Sequence, residues 1–174
     1  MINETLSVIP LGGVEEIGGL NCTVFEYADN IIVVDAGLMF PDENMLGVDF
    51  VVPDFSYLLE NREKVRALIM THGHEDHTGA VPFLLKDLDI PVYGTPLTLG
   101  LIFEKLKEYK LENRKLIPVK PRDIIELGPF EVEFIRVTHS IVDGVALGIK
   151  TPVGRVIHTG DFKIDLKSDI SGKT

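Results

Sequence analysis

Between positions 71 and 77 the chain reads Thr71-His72-Gly73-His74-Glu75-Asp76-His77, which places three imidazoles and two carboxylates within six residues. Imidazole nitrogen and carboxylate oxygen are the donors that a divalent ion such as zinc takes at about 2.0–2.2 Å. In extended chain His72 and His74 fall on the same side, and a turn after Gly73 brings Asp76 and His77 to a neighbouring point. Two such points a few ångströms apart would suit a pair of ions, activating water and stabilising a leaving oxygen. The competing reading is a solvated polar loop, but three of the chain's five histidines share this segment. Metal binding is therefore the expected chemistry.

A cluster of this kind needs a frame. The apolar run 65–71 just before it reads as a buried strand that ends in the histidine loop. Strands are also predicted over 6–11, 22–27 and 31–35, the last two joined by a turn at Ala28-Asp29-Asn30. Gly12-Gly13 and Gly18-Gly19 bracket the first loop. Helical spacing covers 55–65 and 81–88, with Pro82 in a first turn. Thr95-Pro96 opens another helix, whose Leu99, Ile102, Phe103 and Leu106 share one core-facing side. Later strands are expected at 115–119, 130–137, 145–151 and 155–159. Strands first, then helices among further strands, give a layered α/β (α+β) domain.

Composition bounds the rest. A chain of 174 residues fits one domain and can bury about 70% of its unfolded surface. With 45% hydrophobic and 25% charged residues it is not a disordered chain. A formal net charge of −10 excludes a generic nucleic-acid-coating module, although bound divalent ions would reverse the local field of a phosphate-handling enzyme. The one cysteine, Cys22, allows neither an internal disulfide nor a cysteine-rich zinc site, and reads as a small core residue. Apolar runs such as Ile31-Ile32-Val33-Val34 fall far short of the roughly 20 residues that span a bilayer, and no signal peptide is visible. No membrane association and a cytoplasmic location are expected. Lys105, Lys107, Lys110, Arg114 and Lys115 read as a solvated helix face rather than an RNA track.

The pattern His72-x-His74-x-Asp76-His77 resembles the signature of the metallo-β-lactamase fold hydrolases. Their other marks follow in order: Asp35 ending an early strand, His139, and Asp161 in His158-Thr159-Gly160-Asp161. The resemblance implies one ion on His72, His74 and His139, a second on Asp76 and His77, and Asp161 as the bridge. Asp35 is expected to orient the histidine loop from behind rather than bind metal. Pro10-Leu11-Gly12-Gly13, Glu16-Ile17-Gly18, Gly47-Val48-Asp49, Thr138-His139-Ser140-Ile141 and the stretch through Phe162-Lys163 are similar to the ribonuclease J group of the β-CASP branch. That likeness covers about residues 5–165. Gly19-Leu20-Asn21 stands where the group has a shorter Lys-Asn pair, so this loop is expected to differ in shape.

The resemblance to that group implies a four-layer αββα sandwich over 1–165, cut short before a β-CASP domain that would begin in the tail 166–174. It implies hydrolysis of RNA phosphodiester bonds, endonucleolytic and 5′-to-3′ exonucleolytic, in RNA maturation and decay, with Asp76 orienting or deprotonating the water. Two divalent ions are implied, zinc first, with manganese or magnesium as alternatives. The second site is expected to be incomplete and activity from this length weak or absent, because the group's last ligand histidine lies further on. RNA is the implied partner, with a homo-oligomer in the full-length protein. Two other readings stay open: a hydrolase of a lactone, thioester or β-lactam on the same fold, and a non-catalytic metal-stabilised interaction domain. Extended spacing turns His158 away from Asp161, so His158 reads as structural. Glu75 is expected in solvent, and Asp49 as a turn residue or part of a further cation loop.

Overall fold

The computed structural model describes residues 5–15 and 18–164; Glu16, Ile17 and the tail 166–174 lie outside the described residues. Strands β1 (Leu6–Gly12), β2 (Cys22–Tyr27), β3 (Asn30–Val34), β4 (Val65–Ile69), β5 (Val92–Gly94) and β6 (Leu116–Pro118) form one sheet in that order. The first three pair antiparallel, and β3 through β6 pair parallel. The second sheet is antiparallel throughout, in the order β10 (Gly154–His158), β9 (Val145–Thr151), β8 (Phe130–Arg136), β7 (Ile124–Leu127). Helices α1 (Ser56–Glu60), α2 (Glu75–Thr78), α3 (Val81–Asp87) and α4 (Pro96–Glu108) all lie between β3 and β6 in the chain.

The first sheet is apolar on both faces because it is covered on both. Ile31 and Val33 of β3 join Val24, Leu68 and Val92 against Leu58 of α1, Leu84 of α3 and Ile102 of α4. The alternate residues Ile32 and Val34, with Phe25 and Ile69, face Phe130, Val132 and Phe134 of β8 and Leu147 and Ile149 of β9. The period of two thus sorts each strand into a helix-facing and a sheet-facing half. Helices, first sheet and second sheet are three of the four expected layers. The outer face of the second sheet, where Ile124 and Ile157 are exposed, has no helix on it among the described residues.

Boundaries moved where local chemistry intervened. The expected helix 55–65 ends at Glu60, Asn61 leaves helical geometry at φ −110°, and Arg62–Lys64 continues as a 3₁₀ turn. The strand expected at 115–119 contracts to Leu116–Pro118, and β5 and β7 were not foreseen. Phe103 does not share the buried side of α4: it is 36% exposed and lies under the Lys107 ammonium, 4.6 Å from the ring centre. Leu99, Ile102 and Leu106 are buried as expected.

Candidate metal centre

The site residues leave strand ends that the topology has already gathered. Parallel β3 and β4 pair Val34 with Ile69, so Asp35 and the 70–74 loop leave the sheet side by side. The Asp35 amide donates to Ile69 O at 3.0 Å. From the second sheet, His139 lies in the loop after β8, and Asp161 follows β10. The Val145 amide donates to Thr71 O (3.0 Å) and the Lys163 amide to Thr138 O (2.7 Å), tying the four loops together.

The residues after β3 are fixed against α2. Amides of Asn21, Ala36 and Leu38 donate to the carbonyls of Asp76, His77 and Glu75 at 3.1, 2.8 and 3.1 Å. A Cβ on Gly37 would stand 1.6 Å from the Asp76 carbonyl oxygen, so only glycine allows this approach. Asp35 itself sits at φ +61°, a left-handed conformation that aspartate tolerates better than most side chains.

Buried Asp35 organises the histidines without facing the donor cluster. Its Oδ1 accepts the Thr71 amide (2.8 Å), and its Oδ2 accepts the Thr71 hydroxyl (2.7 Å) and His77 Nδ1–H (2.8 Å). With its proton committed, Thr71 Oγ1 can only accept from His72 Nδ1 at 3.0 Å. Both rings are thereby held with Nδ1 protonated, so that Nε2 is the nitrogen that offers a lone pair whenever the ring is neutral. Burial opposes the Asp35 charge, but the His77 charge and hydrogen bond, then His158 and the Thr71 amide, hold its carboxyl below the usual range. Burial also opposes charge on His77, yet Asp35, Asp76 and Asp161 hold its pKa above the ordinary histidine value. For His72, burial and the neighbouring His77 charge prevail and lower the pKa to about 4.

Two donor groups result. Ring nitrogens of His72, His74 and His139 all lie within 4.8 Å of one another, and so do donors from His72, His77 and Asp161. His74 Nδ1 stands 3.0 Å from His72 Nε2 and 3.3 Å from His139 Nε2. One N–H cannot reconcile three converging imidazole nitrogens, and burial disfavours adding protons, whereas a divalent cation accepts all three lone pairs. These residues fit a metal ion. Asp161 spans the groups, with Oδ1 3.5 Å from His77 Nε2 and Oδ2 3.7 Å from His139 Nε2. Asp76 stands beside His77, Oδ2 to Nε2 3.5 Å, but belongs to neither three-residue group.

Other expected residues lie apart. Glu75 is exposed and ion-paired with Lys105 of α4. Lys107 and Arg114 are ion-paired as well, so three members of the basic run are engaged rather than merely solvated. Lys110, Arg114 and Lys115 lie past the end of the helix whose face they were expected to form. His158 Nδ1 accepts the Gly160 amide (3.3 Å) and its ring meets Phe25 edge-on, a packing role. Asp49 is exposed and in neither donor group. Cys22 is buried, and burial pushes its thiol pKa far up. The residue that sequence reasoning missed is Asn21, whose Nδ2 donates to Asp76 Oδ2 (3.3 Å) and reaches His77 Nε2 (3.2 Å). Its partners are 55 and 56 positions away, so no local signal marks it.

Comparison with known proteins agrees with this architecture. Ribonuclease J of Synechocystis sp. is 52% identical over 165 residues, covering 93% of this chain and 26% of the relative. Ribonuclease J of Helicobacter pylori is 50% identical over 163 residues, covering 92% of this chain and 24% of the relative. The chain thus spans about a quarter of the length of these curated relatives. Among solved structures, the metallo-beta-lactamase fold protein YhfI from Bacillus subtilis superposes with a TM-score of 0.63 at 22% identity, over 93% of this chain and 64% of that one. No helix among the described residues is long and apolar enough to cross a membrane. The family model of the metallo-beta-lactamase superfamily matches residues 17–168, and the chain belongs to that superfamily.

Proposed function

We propose that the chain supplies the metal-binding part of a longer protein that hydrolyses phosphodiester bonds of RNA with the help of two divalent ions, and that activity from this length alone is weak or absent. The observation that carries this reading is the identity of about one half, over nine-tenths of the chain, with proteins named Ribonuclease J. In this reading His72, His74 and His139 hold one ion, His77 and Asp76 the other, and Asp161 is shared. Zinc suits imidazole and carboxylate donors, with manganese and magnesium as alternatives. When bound, such a pair supplies Lewis acidity to activate water and offsets charge building at phosphorus.

The chain's own groups do the rest. Asp76, held by Asn21, orients the attacking water and takes its proton. Asp35 and Thr71 keep the His72 and His77 rings in the tautomer that offers Nε2. The low pKa of His72 keeps its lone pair free at neutral pH. Homo-oligomerisation of a longer protein and a cytoplasmic setting belong to the same proposal.

The test is turnover of 5′-monophosphorylated RNA beside nitrocefin and a thioester. It uses metal-loaded 174-residue chain and a chimera that appends the remainder of the Synechocystis relative. RNA cleavage by the chimera, lost on His74→Ala and Asp76→Asn, is the expected result. Turnover of nitrocefin or the thioester without RNA cleavage would overturn the assignment.

A further inference from the structure

A cavity of about 520 Å³ lies at the base of the loop that carries His139, and none of the donor residues lines it. Arg136 and Asp143, at the two ends of that loop, line it, so the loop that carries His139 is anchored at both ends on the cavity. Gly144, next to Asp143, lies where an added Cβ would stand 3.9 Å from the Cβ atoms of both His139 and His72. The opposite wall is Lys120 and Arg122 after β6, with Thr95 and Pro96 at the start of α4. A second cavity of about 340 Å³ shares Pro121, Arg122 and Arg136 and extends the depression towards Glu133 and Ile135.

Three cations line the first cavity against the carboxylate of Asp143, with Glu133 in the extension, a local excess of positive charge on a chain of net charge −10. Lys64, Lys105, Lys107, Arg114 and Lys150 each have an acidic partner; Lys120, Arg122 and Arg136 have none among the described residues. The nearby Asp123 is committed elsewhere, its Oδ2 accepting the Lys120 amide at 2.7 Å. Arg122 is held in place at φ +78°, its amide donating to Phe134 O at 2.7 Å. Thr95 makes no side-chain cap bond; its hydroxyl pairs with Thr98 at 3.0 Å, which leaves the first-turn amides of α4 as further donors at the rim.

We propose that this cavity is a phosphate subsite, in which Lys120, Arg122 and Arg136 hold a backbone phosphate of single-stranded RNA beside the metal centre. Guanidinium forks suit phosphate oxygens, and unpaired cations grouped on an acidic surface concentrate a polyanion at one place. The assignment to RNA rests on the function proposed above; the anion chemistry does not.

The experiment uses the 174-residue chain stripped of metal with a chelator, so that binding reads the cavity rather than the ions. Inorganic phosphate and pentaadenylate are titrated against wild type, Arg122→Gln/Arg136→Gln, Lys120→Gln, and the control Lys115→Gln/Arg155→Gln, which removes two exposed charges elsewhere. Unfolding curves confirm that each variant is folded. The arginine pair should weaken pentaadenylate by at least about tenfold and flatten its log–log salt dependence by about 1.4, two contacts at roughly 0.7 each. Lys120→Gln should follow in the same direction, and the control should stay near wild type. Equal losses in the arginine pair and the control would overturn the subsite. So would phosphate binding lost on Arg122→Gln/Arg136→Gln with pentaadenylate unaffected, which marks a pocket for free phosphate. If the arginine pair loses pentaadenylate while metal-loaded chimera cleaves no RNA, the subsite stands and the hydrolysis reading falls.

Discussion

The two donor groups share His72 and Asp161 lies between them, yet they are built on different principles. His74 and His139 converge from two loops, and the hydrogen bonds of their converging nitrogens are to other imidazoles. His77 is buried, backed by the Asp35 carboxylate, and surrounded by Asp76 and Asp161. One group is imidazole-rich and held by loop geometry; the other is anionic and set by a buried charge network. Nitrogen donors favour a softer ion and carboxylates a harder one, so the two positions differ in affinity and in what destroys them.

The largest separation should come from removing one donor on each side. His139→Ala takes a ring from the three-imidazole group, and His77→Ala leaves that group whole. Loss of a direct ligand should exceed the roughly 10–100-fold penalty of losing an outer partner. Metal content after dialysis should therefore fall by one ion in each variant, with different ions lost when zinc and manganese compete. Identical selectivity in both variants would mean that the groups are one site.

Asp35→Asn should come next, acting on fold and metal together. Asparagine tolerates the +61° φ, so the substitution removes charge without adding backbone strain. It removes the carboxylate from the buried Asp35–His77 pair, a change of about 3–5 kcal/mol. For a chain of this size that lowers the unfolding midpoint by about 6–20 °C. The ion beside His77 should weaken more than the ion on His74 and His139, and equal weakening would break the contrast.

How much of this contrast was legible in the sequence follows from how local each cause is. The apolar runs that became β2, β3 and β4 carry their own periodicity, and the histidine segment announces its donors within seven positions. Strands β5 and β7 are three and four residues long, too short for any period to show. The break at Asn61 is a change of backbone dihedral that apolar spacing does not register, and Phe103 lies under Lys107, one turn on, rather than in the core. Asp35 was readable as a residue that supports the loop, but its left-handed backbone and three accepted hydrogen bonds depend on the register between β3 and β4. The split into two groups required loops from both sheets to meet, and that is a tertiary fact.

Titration should sharpen the contrast further, with opposite signs at His72 and His77 in metal-free protein. The folded pKa of His72, about 4, lies below the unfolded value of about 6.5, so the unfolded state takes the extra proton first. Stability therefore falls as pH drops from 6.5 towards 4, and His72→Asn should flatten that decline. His77 is shifted upward, so its contribution is complete below pH about 6.5 and is lost as pH rises through its folded value. His77→Asn should therefore cost more stability at pH 6 than at pH 9. Chemical unfolding at a series of pH values reads both, and parallel curves for the two variants would contradict the charge network.

The smallest effect should belong to Asn21, which touches only the anionic side. Its Nδ2 lies 3.3 Å from Asp76 Oδ2 and 3.2 Å from His77 Nε2, and it reaches neither His74 nor His139. The side chain is partly buried, and loss of one such hydrogen bond costs about 0.5–1.5 kcal/mol. Asn21→Ala should therefore lower stability by no more than that, while freeing the Asp76 carboxylate to rotate. Because Asn21 supports Asp76 and His77 from outside the ion they are proposed to hold, affinity there should fall by about tenfold, the lower end of the range for supporting partners. Affinity at the three-imidazole group should be unchanged. A titration with competing chelator resolves the two binding steps, and Asn21→Asp adds a test of sign. An added carboxylate beside Asp76 and His77 should repel Asp76 in the empty protein, yet strengthen binding of a cation at that position. If Asn21→Ala shifts both steps equally, Asn21 supports the whole loop, and the independence of the two groups is wrong.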